Sequence, residues 1–461
     1  MTLVRGVDSS TQSCKVEVRD AETGALLGSG KSAHPATTPP VSEQDPRAWW
    51  DALSAARAEA GDETEVVATS VAAQQHGLVL TDAVGEPLRP AKLWNDTESA
   101  PDAAWLLKQL PGGAAEWAQV VGSVPVAAFT VTKLSWVHRS EPELFERIER
   151  VMLPHDWLGW KLTGEYGTDR GDASGTGYWS PTTGEYRFDL LELVDRGLDW
   201  AAALPPVMSA AEAHGTGDNM AAALGLGLQP GDVVISLGTS GTVFAVSDTP
   251  TADPTGAVAG FADATGRFLP LVCTLNATKV TDTVARWLGA GHAELDALAA
   301  SAPVGARGST VLPYFDGERT PNRPDARGLL TGLRADTTRE DIARAAYEGV
   351  VCGLLDGLDA LRAAGVAVDG RCFVIGGGAR SAVYPHVVAD LAQRAVNLVD
   401  ADELVALGAC VQAAARATGV PIADVQDAWG LGVGHEVAPT ASADEAAEVR
   451  ARYATVRDAG F

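Results

Sequence analysis

Val4–Val18 reads VRGVDSSTQSCKVEV: an apolar strand, a hydroxyl-rich turn carrying one carboxylate, Asp8, and a returning strand. Halfway along the chain Val233–Val246, VVISLGTSGTVFAV, repeats that order. Such self-similarity is what a duplicated unit leaves in a sequence, and it predicts two related hairpins. A turn dense in backbone N–H groups and hydroxyls suits a polyphosphate, because several donors converge where no side-chain bulk intervenes. The first turn adds Asp8 where the second has Gly238. That asymmetry predicts that one hairpin helps to hold a metal ion and the other lets backbone approach phosphate closely. Either turn alone reads better as an ordinary hairpin with local Ser and Thr hydrogen bonds; it is the pair that favours the anion reading.

The 461 residues suffice for two or three domains with full cores. With 60 acidic and 35 basic residues the net charge is −25, and the acids are spread along the chain, so no basic face for nucleic acid or anionic membrane is expected. Cys14, Cys273, Cys352, Cys372 and Cys410 lie far apart in apolar segments without a CxxC pair, which reads as buried thiols in a reducing cytoplasm. No apolar run reaches a membrane span, and the first strand leaves no room for a signal peptide. The histidines show no zinc-ligand spacing.

Three strands, Leu3–Val7, Cys14–Val18 and Leu26–Lys31, open the chain as a meander. Gly28–Ser32 spells GSGKS, but the glycine that a phosphate loop needs falls one residue early, at Gly24, and prolines follow where a helix should start. The motif is rejected. Asp45 and Pro46 open a helix, and Glu65–Val71 is a strand ending in Gln74, Gln75 and His76, polar residues of the kind that line a cleft. Leu78–Thr81 and Lys92–Asp96 are expected to continue the sheet, with Trp94 and Asp96 supplying the ring face and carboxylate of a sugar site, or merely a helix cap. Gly171–Gly177 reads as a loop. Asp218 begins a small-residue helix, where the dipole would keep its carboxylate ionised and able to accept a hydroxyl proton; N-capping explains it equally well. In the second half a helix begins at Thr338 or Asp341, with Gly349, Gly353 and Gly357 as a close-approach stripe. Gly376-Gly377-Gly378 then joins a buried strand to a helix, an arrangement for a flat or phosphorylated ligand or simply a tight connection.

These residues resemble the FGGY carbohydrate kinases over nearly the whole chain. Gly328–Leu333, Asp341-Ile342 and Ala345–Glu348 match the family's second signature; Thr130, Lys133, Leu134, Trp136 and Val137 match much of the first, with Ala128 and Ser140 departing. The resemblance implies an α/β fold of two ribonuclease-H-like, actin/hexokinase-type domains flanking a central cleft, residues 1–229 and 230–461, the first for sugar and magnesium, the second for nucleotide. It implies ATP and Mg2+ as cofactors, with Asp8 positioning the metal. Ser9, Ser10 and Thr11 together with Gly238, Thr239 and Ser240 would embrace the phosphates, and Gly377, Gly378 and Ser381 would lie by adenosine. Gln75, His76, Trp94, Asp96 and Asn219 would bind sugar, and Asp218 would be the general base. Ser10 stands where relatives usually carry glycine. The activity implied is phosphorylation of D-xylulose at its terminal hydroxyl; ribulose, gluconate or glycerol are the alternatives within the family, and a non-catalytic actin-like nucleotide switch the alternative outside it. The partners expected are a small sugar and ATP, with a homodimer left open.

Overall fold

The computed structural model describes residues 2–61 and 65–459. They form two compact units: Met1–Leu228 with Asp248–Leu269 and Ala401–Gly432, and Gln229–Ser247 with Pro270–Asp400 and Val433–Phe461. The first passage between them lies beside residue 229, and later segments of the chain return to the first unit.

In the first unit the strands Leu26–Ala33, Ser13–Asp20, Leu3–Ser9, Val66–Ala73 and Gly215–Gly217 lie side by side in that order. The first three pair antiparallel through short turns, and the last two join in parallel. The second unit repeats the order with Phe268–Thr274, Gly241–Ala245, Val233–Leu237, Cys372–Ile375 and Val396–Val399. Each repeated stretch read from the sequence thus occupies the same place, a hairpin at the centre of a mixed sheet. Hairpins pair antiparallel because a short turn can reverse the chain, whereas the parallel neighbours arrive through longer crossovers.

Gly28 and Gly30 of GSGKS lie inside the third strand, against the helix Pro46–Ala60, where a Cβ would stand 1.9 Å from the Ala60 carbonyl oxygen and 2.1 Å from that of Ala56. Their role is close packing, consistent with rejection of the phosphate loop. Asp45 caps that helix through the Arg47 N–H. Two expected sheet extensions do not join the main sheet: Val79–Thr81 pairs with Arg150–Met152, and Ala91–Lys92 with Glu43–Gln44. Their apolar character is satisfied by burial at the flank, which periodicity cannot distinguish from membership of the central sheet. Gly171–Gly177, expected as loop, overlaps a helical turn, Arg170–Ala173, capped by Asp169.

Two helices cover one face of the first sheet's centre. Leu404–Thr418 presents the Ala406 carbonyl 2.0 Å from where a Cβ of Gly6 would be, and Gly408 of the same helix meets Ala221 of the helix Asp218–Gly225 equally closely. In the second unit Thr338 and Asp341 form a reciprocal capping box at the start of Arg339–Ala363. Gly349 abuts the Val311 carbonyl and Gly357 the side chains of Val272 and Val243, as the glycine stripe predicts.

Candidate active site

In the first unit three parallel strands end level with one another: Ser9 is paired with Ala73, and Ala73 with Gly217. The residues that follow, Ser10-Thr11, Gln74–His76 and Asp218-Asn219, therefore emerge together at the carboxyl ends, where open α/β sheets bind ligands. Asn219 donates through Nδ2 to Gln75 Oε1 at 3.0 Å and to Asp218 Oδ1 at 2.9 Å. Thr11 Oγ1 donates to Gln74 Oε1 at 3.2 Å and accepts from Trp94 Nε1 at 2.9 Å, which ties Trp94 to the first turn. Asp8 lies in the strand itself, 2% exposed, receiving the Ser10 hydroxyl and, at 3.3 Å, Lys15 Nζ. The Ser9 hydroxyl is paired with His34 Nε2 at 3.2 Å.

Asp218 is the first residue of its helix and Gly217 its cap, so the carboxylate does not serve as the N-cap. Its Oδ1 accepts the backbone N–H and the amide of Asn219. Ionisation at neutral pH was expected from the helix dipole, but burial dominates, and the charges of Asp8 and Asp172 add to it, raising the carboxyl to about 7. A carboxyl that titrates near neutrality is well matched to taking up a hydroxyl proton.

His76 adopts a left-handed backbone, φ 65°, unusual for a residue with a Cβ. It is held there from several sides. Its carbonyl accepts Thr130 Oγ1 at 3.3 Å and Lys133 Nζ at 3.0 Å, its Nδ1 is 2.8 Å from the Gly175 carbonyl, and its ring stacks on Phe129 at 5.1 Å. Such over-determined strain is characteristic of working sites.

Asp96 is placed differently. It is fully buried, with one oxygen accepting the Ser42 N–H and Lys92 Nζ and the other the Glu98 N–H. Among the described residues Glu43, Asp96 and Glu98 form the one carboxylate trio close enough to share a cation, and Lys92 Nζ already lies within 2.6–3.1 Å of all three. The chain supplies its own cation there, and Asp96 acts on protein, not outward.

In the second unit Gly238–Ser240 and Gly376–Ser381 follow the adjacent parallel strands Val233–Leu237 and Cys372–Ile375. Thr278 donates its N–H and hydroxyl to the Gly238 carbonyl, both at 3.0 Å, and thereby brings the start of the helix Thr278–Leu288 to that turn. Gly376 has φ 86° and a Cβ there would crowd Leu237, while the Cβ position of Gly377 is open space. Ser381 donates to Asp296 Oδ1 at 2.8 Å and accepts from the N–H groups of Val383 and Tyr384, so its hydroxyl is spent on the loop. Asp296, which also accepts the Ala382 N–H at 2.9 Å, carries no local sequence signal of this role.

The FGGY family of carbohydrate kinases, N-terminal domain, matches residues 3–246, and the C-terminal domain of the same family matches residues 233–417. The chain belongs to the FGGY carbohydrate kinases. Relatives of this FGGY kinase include the xylulose kinase of Streptomyces coelicolor, 48% identical over 94% of this chain and 92% of the relative, and that of Escherichia coli, 35% identical over 84% of each. Among solved structures, a xylulose kinase from Bifidobacterium adolescentis is similar at 41% identity and TM-score 0.86 over 99% of both chains. One from Brucella ovis reaches TM-score 0.91 at 29% identity, covering 99% of each.

The geometry gives the kinase's first signature a physical meaning: Thr130 and Lys133 grip the His76 carbonyl, and so hold the backbone that presents Gln75 and His76. The second signature is structural, a capped helix whose Glu348 takes Arg344 at 2.7 Å and the Gly305 N–H at 2.8 Å. A divalent cation fits the first unit on its donor set. The buried Asp8 and the half-buried Asp218 offer hard carboxylate oxygens of the kind magnesium takes, and Lys15 Nζ at 3.3 Å is the cation beside Asp8.

Proposed function

We propose that this kinase transfers the γ-phosphoryl group of ATP to the terminal hydroxyl of D-xylulose, giving D-xylulose 5-phosphate and ADP. The observation that carries the reading is the Asp218, Asn219 and Gln75 chain of hydrogen bonds at the level ends of three strands, in a protein 48% identical to a xylulose kinase. Asn219 and Gln75 orient the sugar through its hydroxyls, and His76 closes the pocket. Asp218 accepts the proton of the attacking hydroxyl while its oxygen bonds to the γ-phosphorus and the bond from that phosphorus to the bridging oxygen of ADP breaks. In the first unit the backbone of Ser9–Thr11 is offered to phosphate, and in the second that of Gly238–Ser240; the open space at Gly377 leaves room for the adenosine, whereas Gly378 packs against Leu237 and Thr278. Magnesium, held by Asp8, would neutralise phosphate charge when bound.

An ADP-release assay with a panel of ketoses and polyols tests the assignment. Turnover highest with D-xylulose is the expected result; turnover with glycerol or gluconate and none with D-xylulose would replace the substrate, and none with any sugar would remove the kinase reading.

A further inference from the structure

His155, Asp156, Asp169 and Asp172 form a cluster in the first unit in which no residue is more than 4% exposed. His155 Nδ1 lies 2.7 Å from Asp172 Oδ2, and Nε2 lies 3.1 Å from Asp156 and 3.8 Å from Asp169. Burial opposes a charge on this ring, but the three carboxylates overcome it and lift the pKa to about 10, so both nitrogens carry protons at neutral pH. The ring spends itself on the cluster and does not reach out toward a ligand.

Two arms leave this cluster. Asp169 accepts the Thr216 hydroxyl at 2.6 Å, and Thr216 belongs to the short strand that ends at Gly217, directly before Asp218. Asp169 also accepts the N–H groups of Gly171 and Asp172, both at 2.9 Å, fastening the next turn. That turn carries the second arm: the Asp172 carbonyl accepts the Gly175 N–H at 2.9 Å, and the Gly175 carbonyl lies 2.8 Å from His76 Nδ1. The fit is tight, since a Cβ on Gly175 would come 2.4 Å from the His76 ring.

We propose that His155 is a positioning residue for the sugar site, a charge clamp: bonded to Asp172 at 2.7 Å and 3.8 Å from Asp169, its ring balances the carboxylates through which the strand that delivers Asp218 and the turn that holds His76 are joined. This rests on the reading of Gln75, His76, Asp218 and Asn219 as the sugar site. Without the ring, Asp156, Asp169 and Asp172 are three buried carboxylates that have lost the cation they share, and a stranded buried charge is relieved by movement or water entry. Displacement of about 1 Å at a reacting group costs roughly 10²-fold in rate.

The test is His155→Gln in the full-length chain, with sugar affinity read by calorimetry on D-xylulose, nucleotide affinity on a non-hydrolysable ATP analogue, and steady-state kinetics on both substrates. The expected result is a fall of roughly 10²-fold in kcat/KM for the sugar, with weaker sugar binding and unchanged nucleotide binding. Partial recovery in His155→Gln/Asp172→Asn, which removes one of the stranded charges, supports the clamp. Unchanged sugar binding in a folded variant, or equal weakening of both ligands, overturns it. Should the variants fail to fold, histidine 15N spectra of the unaltered protein decide: a His155 ring protonated on both nitrogens at pH 8 supports the clamp, and a neutral ring overturns it. If the unaltered protein binds no ketose, the substrate reading fails, and the same spectra still decide whether the clamp exists.

Discussion

Asp218 sits under two opposed influences, a helix start that favours its charge and a buried corner shared with Asp8 that disfavours it, and the corner wins. Since the base works only when deprotonated, kcat/KM for the sugar should fall as pH drops through about 7, and a pH–rate profile of the unaltered enzyme will show that limb. Asp218→Ala should lower phosphorylation by roughly 10²–10⁴-fold while an ATP analogue still binds; retained turnover would sink the assignment. The same residue should leave a mark on stability. Its carboxyl is raised in the folded chain and ordinary in the unfolded one, so its contribution is full below the ordinary carboxylate range and is lost as pH rises through about 7. Melting curves of the ligand-free protein should therefore show Asp218→Asn gaining over the unaltered chain at pH 8 and the gain vanishing near pH 4. Nothing adjacent in sequence announces this, because Asp8 and Asp172 reach Asp218 only through the fold.

At the scale of elements, the helix Asp218–Gly225 is held by contact without side chains. A Cβ on Gly408 would stand 1.8 Å from the Ala221 carbonyl oxygen, and one on Gly225 would stand 2.2 Å from that of Leu404. Gly408→Ala must push the two helices apart, at a cost of about 3 kcal/mol, and it should lower the urea midpoint and sugar turnover together because Asp218 rides on the displaced helix. Helices with clear start signals, Pro46–Ala60 and Arg339–Ala363, were readable from sequence. Leu78–Thr81 was readable as a strand but not as to partner, and of the expected Lys92–Asp96 only Lys92 is strand, because alternation and apolarity report burial and say nothing about which neighbour completes the ladder.

For the whole molecule, the return of Ala401–Gly432 to the first unit matters most. Cys410, Val411, Ala413 and Ala414 of this segment share a buried cluster with Val4 and Ala21. A fragment of residues 1–229 therefore lacks one wall of its own core and should be poorly soluble with a non-cooperative melt, and co-expression with a peptide spanning 401–432 should restore a cooperative transition. A cooperative melt of the bare fragment would contradict this. The five cysteines are free and buried, and burial raises Cys14 to about 12 and Cys372 to about 11, so a thiol reagent should label none of them until the chain unfolds.

What the amino-acid order determined by itself is the duplicated strand–turn–strand, the capped helices and the glycine approaches, since each rests on pairing, caps or spacing among residues close along the chain. The tertiary structure alone decided which strand ends stand level, that Lys133 and Gly175 hold His76, that Lys92 claims Asp96, and that Asp218 titrates near neutrality. Those are consequences of charge and packing across large separations in sequence, and electrostatic and steric forces act through space, where order along the chain no longer measures distance.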